Sequence, residues 1–155
     1  MGNADTTPAN SVRTLLLALV LLGEVGLAAE LFLLEHFENV WQWAPFAVLA
    51  AGTASAIWLW TRPSRRAVRF FQSAMLLFVL AGLVGLWLHF KGNTEWEMES
   101  DPAMRGLDLA WSALRGATPT LAPGALVQLG LMGLILTHDH PALGARQFTS
   151  TERIT

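Results

Sequence analysis

The chain contains no cysteine, and only 14% of its 155 residues are charged. Without cysteine it cannot form disulfides, thiolate nucleophiles, iron–sulfur clusters or zinc sites with sulfur ligands. A soluble domain of ordinary composition carries about 25% charged residues, so the low charge argues against a soluble globular class. The formal net charge of −2 gives no basic surface for nucleic acid, and the sequence has no Walker or dinucleotide-binding glycine pattern.

Long apolar runs take the place of the missing charge. They cover residues 14–34, 44–60, 70–90 and 121–137, and the only Asp, Glu, Lys or Arg residues within them are Glu24 and Glu30. Because a helix of about 17–25 apolar residues crosses the hydrocarbon core, each run is long enough to span a membrane. The sequence therefore predicts an all-α polytopic membrane protein whose four transmembrane helices form two hairpins. In this single domain the predicted helices cover about 12–38, 44–61, 67–90 and 121–138, with flexible tails at 1–11 and 142–155.

The first run also shares features with a secretory signal peptide. Arg13 precedes a leucine-rich core, and the small residues of “GLAA” follow at 26–29. The apolar sequence then resumes at 31–34 and reaches a length that spans a bilayer. We therefore expect this segment to be retained as the first helix rather than cleaved.

The charges in the loops predict an orientation. The segment between the second and third runs holds four arginines at 62–69, whereas the segment after the first run holds Glu35 and Glu38 and no base. Because short arginine-rich loops stay in the cytoplasm, we expect this loop and both termini inside and the acidic loops outside. The expected location is a plasma membrane of the bacterial inner-membrane type.

The third loop, residues 91–120, is predicted to contain a short amphipathic helix at about 102–115. Asp101 has the residue type of an N-cap, Pro102 suits the first helical position, and Gly116 suits a helix stop. An apolar stripe is formed by Leu107, Ala110, Trp111 and Leu114. Such a helix lies on the outer membrane surface or caps the bundle, and the sequence does not distinguish these two arrangements.

Glu24 is the most unusual residue, because it falls at the centre of the first run. An ionised carboxylate at the bilayer centre costs roughly 2.5–3.5 kcal/mol on insertion scales. We therefore expect the side chain to face the bundle interior, either protonated or paired with a polar group. Thr53 and Gln128 lie at a similar depth and are the predicted partners. Glu30 points about 120° away from Glu24 and needs a different environment.

The first helix, if it continues to residue 38, places three acids on one stripe. At about 100° per residue, Glu35 lies about 20° and Glu38 about 40° from Glu24. Carboxyl groups in a line from the bilayer centre to the outer surface suit a proton or cation path. The structural alternative is a protonated Glu24 that hydrogen-bonds Thr53 or Gln128 and fixes the packing of the helices.

His36 and His89 end the first and third runs in similar contexts, “LLEHFEN” and “LWLHFKGN”. A duplicated hairpin brings both histidines to the same membrane boundary. Two facing imidazoles ligate haem iron or hold a transition metal such as copper, zinc or iron, with Glu35 and Glu38 as further ligands. The alternatives are that both histidines meet headgroups and water, handle protons or contact a partner protein.

Three function classes follow from these features. The first is a non-catalytic accessory or assembly subunit that acts through its helix faces and acidic outer loops. The second is a redox membrane protein that binds a metal or haem near His36 and His89. The third is a small oligomeric transporter, coupled to protons or cations, that uses Glu24. The expected partners are the lipid bilayer and other proteins or further copies of this chain, but not nucleic acid, and no motif indicates an enzyme.

Overall fold

The computed structural model describes residues 8–144, which contain helices and no strand. The helices are α1 (Pro8–Leu33), α2 (Trp43–Thr61), α3 (Arg65–Ser100), α4 (Gly106–Leu114), α5 (Gly124–Thr137) and α6 (Pro141–Gly144). A 3₁₀ turn at Val40–Gln42 precedes α2. The predicted all-helical class is confirmed for the described residues, and three helices, α1, α2 and α3, are long and apolar enough to cross a membrane.

The predicted flexible tails are only partly within this structure. Residues 1–7 and 145–155 lie outside the described residues. Residues 8–11 belong to α1 and residues 142–144 to α6, so helix extends into both predicted tails.

The last long apolar run forms a shorter helix than the predicted 121–138. α5 has 14 residues, which corresponds to about 21 Å, whereas the hydrocarbon core is about 30 Å thick. Before it, the backbone N–H groups of Ala122 and Gly124 donate to carbonyls three residues earlier, in successive turns. Prolines at 119 and 123 favour these turns because they lack a backbone N–H.

Four helices pack around one core. α1 packs against α2 and α5, and α3 packs against the same two helices, so α1 and α3 occupy opposite positions across the core. Phe71, Met75 and Phe78 of α3 are completely buried at its centre. α5 approaches α3 closely because Gly130 faces Met75, where an added Cβ would come within 2.6 Å of the Met75 carbonyl oxygen. Small residues commonly permit such contacts between membrane helices.

The outward faces of these helices are also apolar. Large exposed side chains are found on every long helix, such as Leu22 on α1 (69% exposed) and Leu80 on α3 (60%). A soluble monomer rarely exposes so much contiguous apolar surface. Contact with lipid accounts for these faces, in agreement with the membrane class.

α1 ends at Leu33 rather than at the predicted 38. The backbone N–H groups of Glu35 and His36 donate to the carbonyls of Phe32 (3.1 Å) and Leu31 (2.9 Å). Glu35 lies in the left-handed region with φ 52°. These two bonds around a left-handed residue form a Schellman motif, which satisfies the last carbonyls of the helix and ends it. Glycine usually occupies this position, so the glutamate gave no sequence signal for the helix end.

α3 continues past the predicted end at 90 to Ser100, for a length of about 54 Å. The helical extension carries Glu95, Glu97 and Glu99, so these acids are not in an extended loop. Asp101, the predicted N-cap of the next helix, is instead the C-cap of α3. Its backbone N–H makes the last helical bond, to the Glu97 carbonyl (2.8 Å), and its own extended backbone (φ −136°, ψ 92°) ends the helix. α4 consequently begins at Gly106 rather than 102, and it packs against α3.

Candidate functional site

Glu24 lies inside the core and is completely buried. Thr53 of α2 donates its hydroxyl hydrogen to Glu24 Oε2 at 3.0 Å. Oε1 has no hydrogen-bond partner within residues 8–144. Gly52 leaves space for this oxygen, because an added Cβ would lie 2.7 Å from Oε1 and would collide with the Phe78 ring. The core thus encloses a carboxyl group that has a single hydrogen-bond partner.

The other predicted polar residues do not join Glu24. Gln128 is exposed on α5, and Glu30 is exposed near the end of α1. The stripe expected to link Glu24 with Glu35 and Glu38 is not formed as a helical face, because α1 ends at Leu33. Both glutamates lie in the exposed turn after the helix. Of the predicted partners, the structure therefore brings only Thr53 to the buried carboxyl group.

His36 and His89 come together from opposite sides of the core. Their ring centroids are 6.5 Å apart and their planes are inclined by 46°. The Schellman turn at the end of α1 places His36, and α3 carries His89. Both residues are half-buried. The two histidines that end the first and third apolar runs thus lie side by side.

A backbone carbonyl orients the His89 ring. Nδ1 of His89 lies 3.0 Å from the carbonyl oxygen of Pro119. A carbonyl oxygen only accepts hydrogen bonds, so Nδ1 carries a proton, and in the neutral ring the lone pair is on Nε2. At His36, burial is the larger cause and neighbouring His89 the smaller cause of a lowered pKa. The lowered pKa keeps the His36 imidazole uncharged at pH 7.

The further metal ligands expected beside this pair are not in place. Within the described part of the chain, no three His, Asp or Glu side chains are grouped so that they could hold an ion. Glu35 and Glu38 are both exposed. The predicted ligand set of His36, His89, Glu35 and Glu38 is therefore not assembled, and only the two imidazoles meet.

Asn93 is a buried polar residue that the sequence did not single out. It lies on α3, one turn after His89, and is 3% exposed. The two hydrogens on its Nδ2 are shared among three acceptors, the carbonyls of Ala113 (2.9 Å) and Thr118 (2.7 Å) and Thr120 Oγ1 (2.9 Å). Its Oδ1 accepts from the backbone N–H of Thr118 at 3.1 Å. This network fastens the end of α4 and the loop after it to α3.

The same network positions the carbonyl that orients His89. Pro119 lies between Thr118 and Thr120, and both threonines bond to Asn93. The only signal in the sequence is a single asparagine four residues after a histidine. Such a residue is ordinary at the end of a membrane helix, where polar side chains reach water.

α4 directs most of its apolar stripe away from the fold. Ala113 is completely buried, whereas Leu107, Trp111 and Leu114 are 88%, 61% and 42% exposed. We call these three exposed residues the α4 apolar stripe. The helix is therefore fixed by its small residue and by Asn93, and its large apolar side chains are exposed, with the Arg115 guanidinium 5.9 Å from the centre of the Trp111 ring.

Arginine side chains gather at the opposite end of the fold. Arg13 near the start of α1 donates to the carbonyls of His138 (3.4 Å) and Asp139 (3.2 Å), just after α5. A cation at this position complements the free carbonyls of a helix end. Leu143 of α6 lies beside Arg65 and Arg69 at the start of α3. The start of α1, the end of α5 and the arginine-rich turn thus share one end.

Comparison with family models, curated proteins and solved structures finds no match to this chain.

Proposed function

We propose that the protein is a non-catalytic accessory or assembly subunit that binds a larger membrane protein through the α4 apolar stripe. The observation that carries this proposal is an apolar stripe that points outward from a rigidly attached helix. Leu107 is 88% exposed, yet Ala113 on the same helix is buried and its carbonyl is bonded to Asn93. A surface helix fixed in this way presents its large side chains in a preorganised form, which reduces the entropy lost on binding.

The charges around the stripe favour a protein partner over the membrane surface. The region from 91 to 120 holds the acids Glu95, Glu97, Glu99, Asp101 and Asp108 and the bases Lys91, Arg105 and Arg115. An anionic headgroup layer repels a region with excess acid, whereas helices that bind anionic membranes are rich in lysine and arginine. A protein surface that is apolar at its centre and basic at its rim fits this region better.

The proposed orientation places the acidic end outside the membrane and both termini in the cytoplasm, with α5 as a fourth, shorter crossing. The support is the separation of charge along the fold. Arg13, Arg65 and Arg69 lie at one end, and the acidic extension of α3 lies at the other. Arginine-rich short segments stay on the cytoplasmic side. Tagging each terminus and the third loop for protease accessibility in spheroplasts tests this orientation.

Site-specific photocrosslinking in the native membrane tests the partner. A photoreactive residue at Leu107 or Trp111 is expected to give a discrete protein adduct. Asp108 provides the matched control, since it is exposed on the same helix but lies off the stripe. Adducts with lipid alone, or equal adducts from Asp108, would contradict the proposal. Leu107→Gln should also release the partner during copurification while leaving the helical content unchanged.

A second candidate function is proton or cation handling at Glu24. The observation that favours this function is the state of the Glu24 side chain, which is completely buried and whose Oε1 has no hydrogen-bond partner within residues 8–144. A carboxyl group in this setting is protonated to avoid the cost of a buried charge, and it is free to exchange that proton. With few helices, a path across the membrane requires an oligomer.

A hydrophobic carbodiimide tests this second candidate, because it reacts with protonated carboxyl groups in apolar surroundings. We expect an adduct on Glu24 that is absent from Glu24→Gln, whereas Glu99, which is exposed and lies outside the apolar runs, serves as the control within the same chain. Ion or proton flux into proteoliposomes is the functional measurement. Equal flux in Glu24→Gln and the unmodified protein would rule out this function.

A further inference from the structure

The separation of His36 and His89 suits two imidazoles that share one ion. An imidazole nitrogen binds a metal at about 2.0–2.1 Å, which places the ion roughly 3 Å from the ring centre. Two rings on opposite sides of one ion are then roughly 6 to 6.5 Å apart between centres. The observed separation of 6.5 Å agrees with this arrangement.

The hydrogen bonding of the pair also suits metal ligation. Because the Pro119 carbonyl accepts from His89 Nδ1 at 3.0 Å, the lone pair of the neutral His89 ring lies on Nε2. Metal-binding histidines almost always donate their other ring N–H to a carbonyl or carboxylate in this way, which fixes the tautomer and the ring orientation. A neutral imidazole has one ring nitrogen with a lone pair, so His36 can offer a second ligand. The Asn93 network holds the loop that supplies the carbonyl.

The number of ligands favours copper among the free metal ions. The described residues supply two imidazoles and no grouped third His, Asp or Glu. Zinc sites use three or four protein ligands, and calcium and magnesium require oxygen ligands. Cuprous ion accepts two imidazoles in a near-linear arrangement, and imidazole is a ligand that suits copper. We propose that His36 and His89 bind a copper ion between their rings.

The charges near the pair are compatible with a bound cation. Glu35, next to His36, is exposed, and the turn that contains it has no lysine or arginine. Lys91, two residues after His89, is paired with Glu95 at 3.3 Å. The copper site does not depend on the accessory function proposed above, because His36 and His89 lie outside the α4 apolar stripe. Photocrosslinking and copper binding can therefore fail independently.

Anaerobic titration with cuprous ion, in competition with a chromogenic chelator, tests the site in the full-length protein in detergent. We expect one equivalent of copper per chain. Its affinity should fall at least about tenfold in His36→Ala and in His89→Ala. His138→Ala is the matched control, since His138 has an 80% exposed side chain at the other end of the fold. X-ray absorption of the loaded protein should show two nitrogen ligands.

His89→Asn separates a ligand role from a purely structural one. Asparagine retains an N–H donor for the Pro119 carbonyl but removes the ring nitrogen that would bind copper. Loss of copper with an unchanged melting temperature in this variant supports the proposal. Failure to retain copper against the chelator, or an equal loss in His138→Ala, would overturn it. A Soret band from haem bound to the same pair would also overturn it.

Discussion

Asn93 and Glu24 are both polar side chains buried within long helices, but their hydrogen-bonding states differ. The Asn93 amide group bonds to three residues from α4 and its following loop, through both of its polar atoms. Glu24 has one bond, from Thr53, and its other oxygen has no partner within residues 8–144. A fully bonded polar network fixes one arrangement of the chain, whereas a partly bonded group adds a cost to folding. The difference indicates that Asn93 serves stability, and that Glu24 needs another reason to be present.

Replacing Asn93 should have the largest effect on stability. Asn93→Ala removes every hydrogen bond of this buried amide group and leaves the carbonyl and the backbone N–H of Thr118 without their partner, whereas the Ala113 carbonyl still accepts from the Thr120 hydroxyl. An unsatisfied buried group costs about 1–3 kcal/mol. We expect the free energy of unfolding to fall by about 3 kcal/mol, measured by reversible unfolding in mixed micelles. Asn39→Ala is the matched control, because it removes the exposed cap of the 3₁₀ turn and should cost about 1 kcal/mol. An equal effect of both variants would contradict the structural role of Asn93.

Two glycines, one beside each polar group, allow a direct comparison of the two sites. An added Cβ at Gly116 would lie 2.5 Å from the Asn93 side chain, and one at Gly52 would lie 2.7 Å from Glu24 Oε1. We expect each glycine-to-alanine variant to lose about 1–3 kcal/mol of unfolding free energy through overpacking. Gly26→Ala is the control, because no atom lies within 4 Å of its added Cβ and alanine favours the helix. A Gly52→Ala variant as stable as Gly26→Ala would contradict the tight packing of Gly52 against Glu24.

The contrast between these sites also explains how much the sequence could predict. A charge inside an apolar run is conspicuous, so the burial of Glu24 and its approach to Thr53 followed from composition and depth. The meeting of His36 and His89 followed from similar contexts at the ends of two helices. Asn93 gave no such signal, because an asparagine at a membrane boundary is ordinary and its partners lie 20 to 27 residues away along the chain.

Helix ends were predicted less well than helix cores, for local physical reasons. The first helix stops at Leu33 because Glu35 adopts a left-handed conformation that usually requires glycine. This early stop removed the predicted stripe of Glu24, Glu35 and Glu38. The third helix continues to Ser100 because α4 packs against it, although its hydropathy ends near residue 90. The lack of a third grouped metal ligand among residues 8–144 likewise depends on turn geometry that no spacing rule describes.

The smallest expected effect is at Thr53, and it decides which role Glu24 has. Side-chain hydrogen bonds between membrane helices contribute about 0.6 kcal/mol on average, so Thr53→Val should lower the free energy of unfolding by roughly that amount. Glu24→Gln keeps an oxygen that can accept from Thr53, and it should be as stable as the unmodified protein. Both variants are measured in the same micelles as Asn93→Ala. A loss near 3 kcal/mol in either variant would make Glu24 a structural anchor like Asn93. A small loss in both variants, together with carbodiimide labelling of Glu24, would show that the fold does not need this carboxyl group. The presence of Glu24 in the core would then be explained by binding and release of its proton.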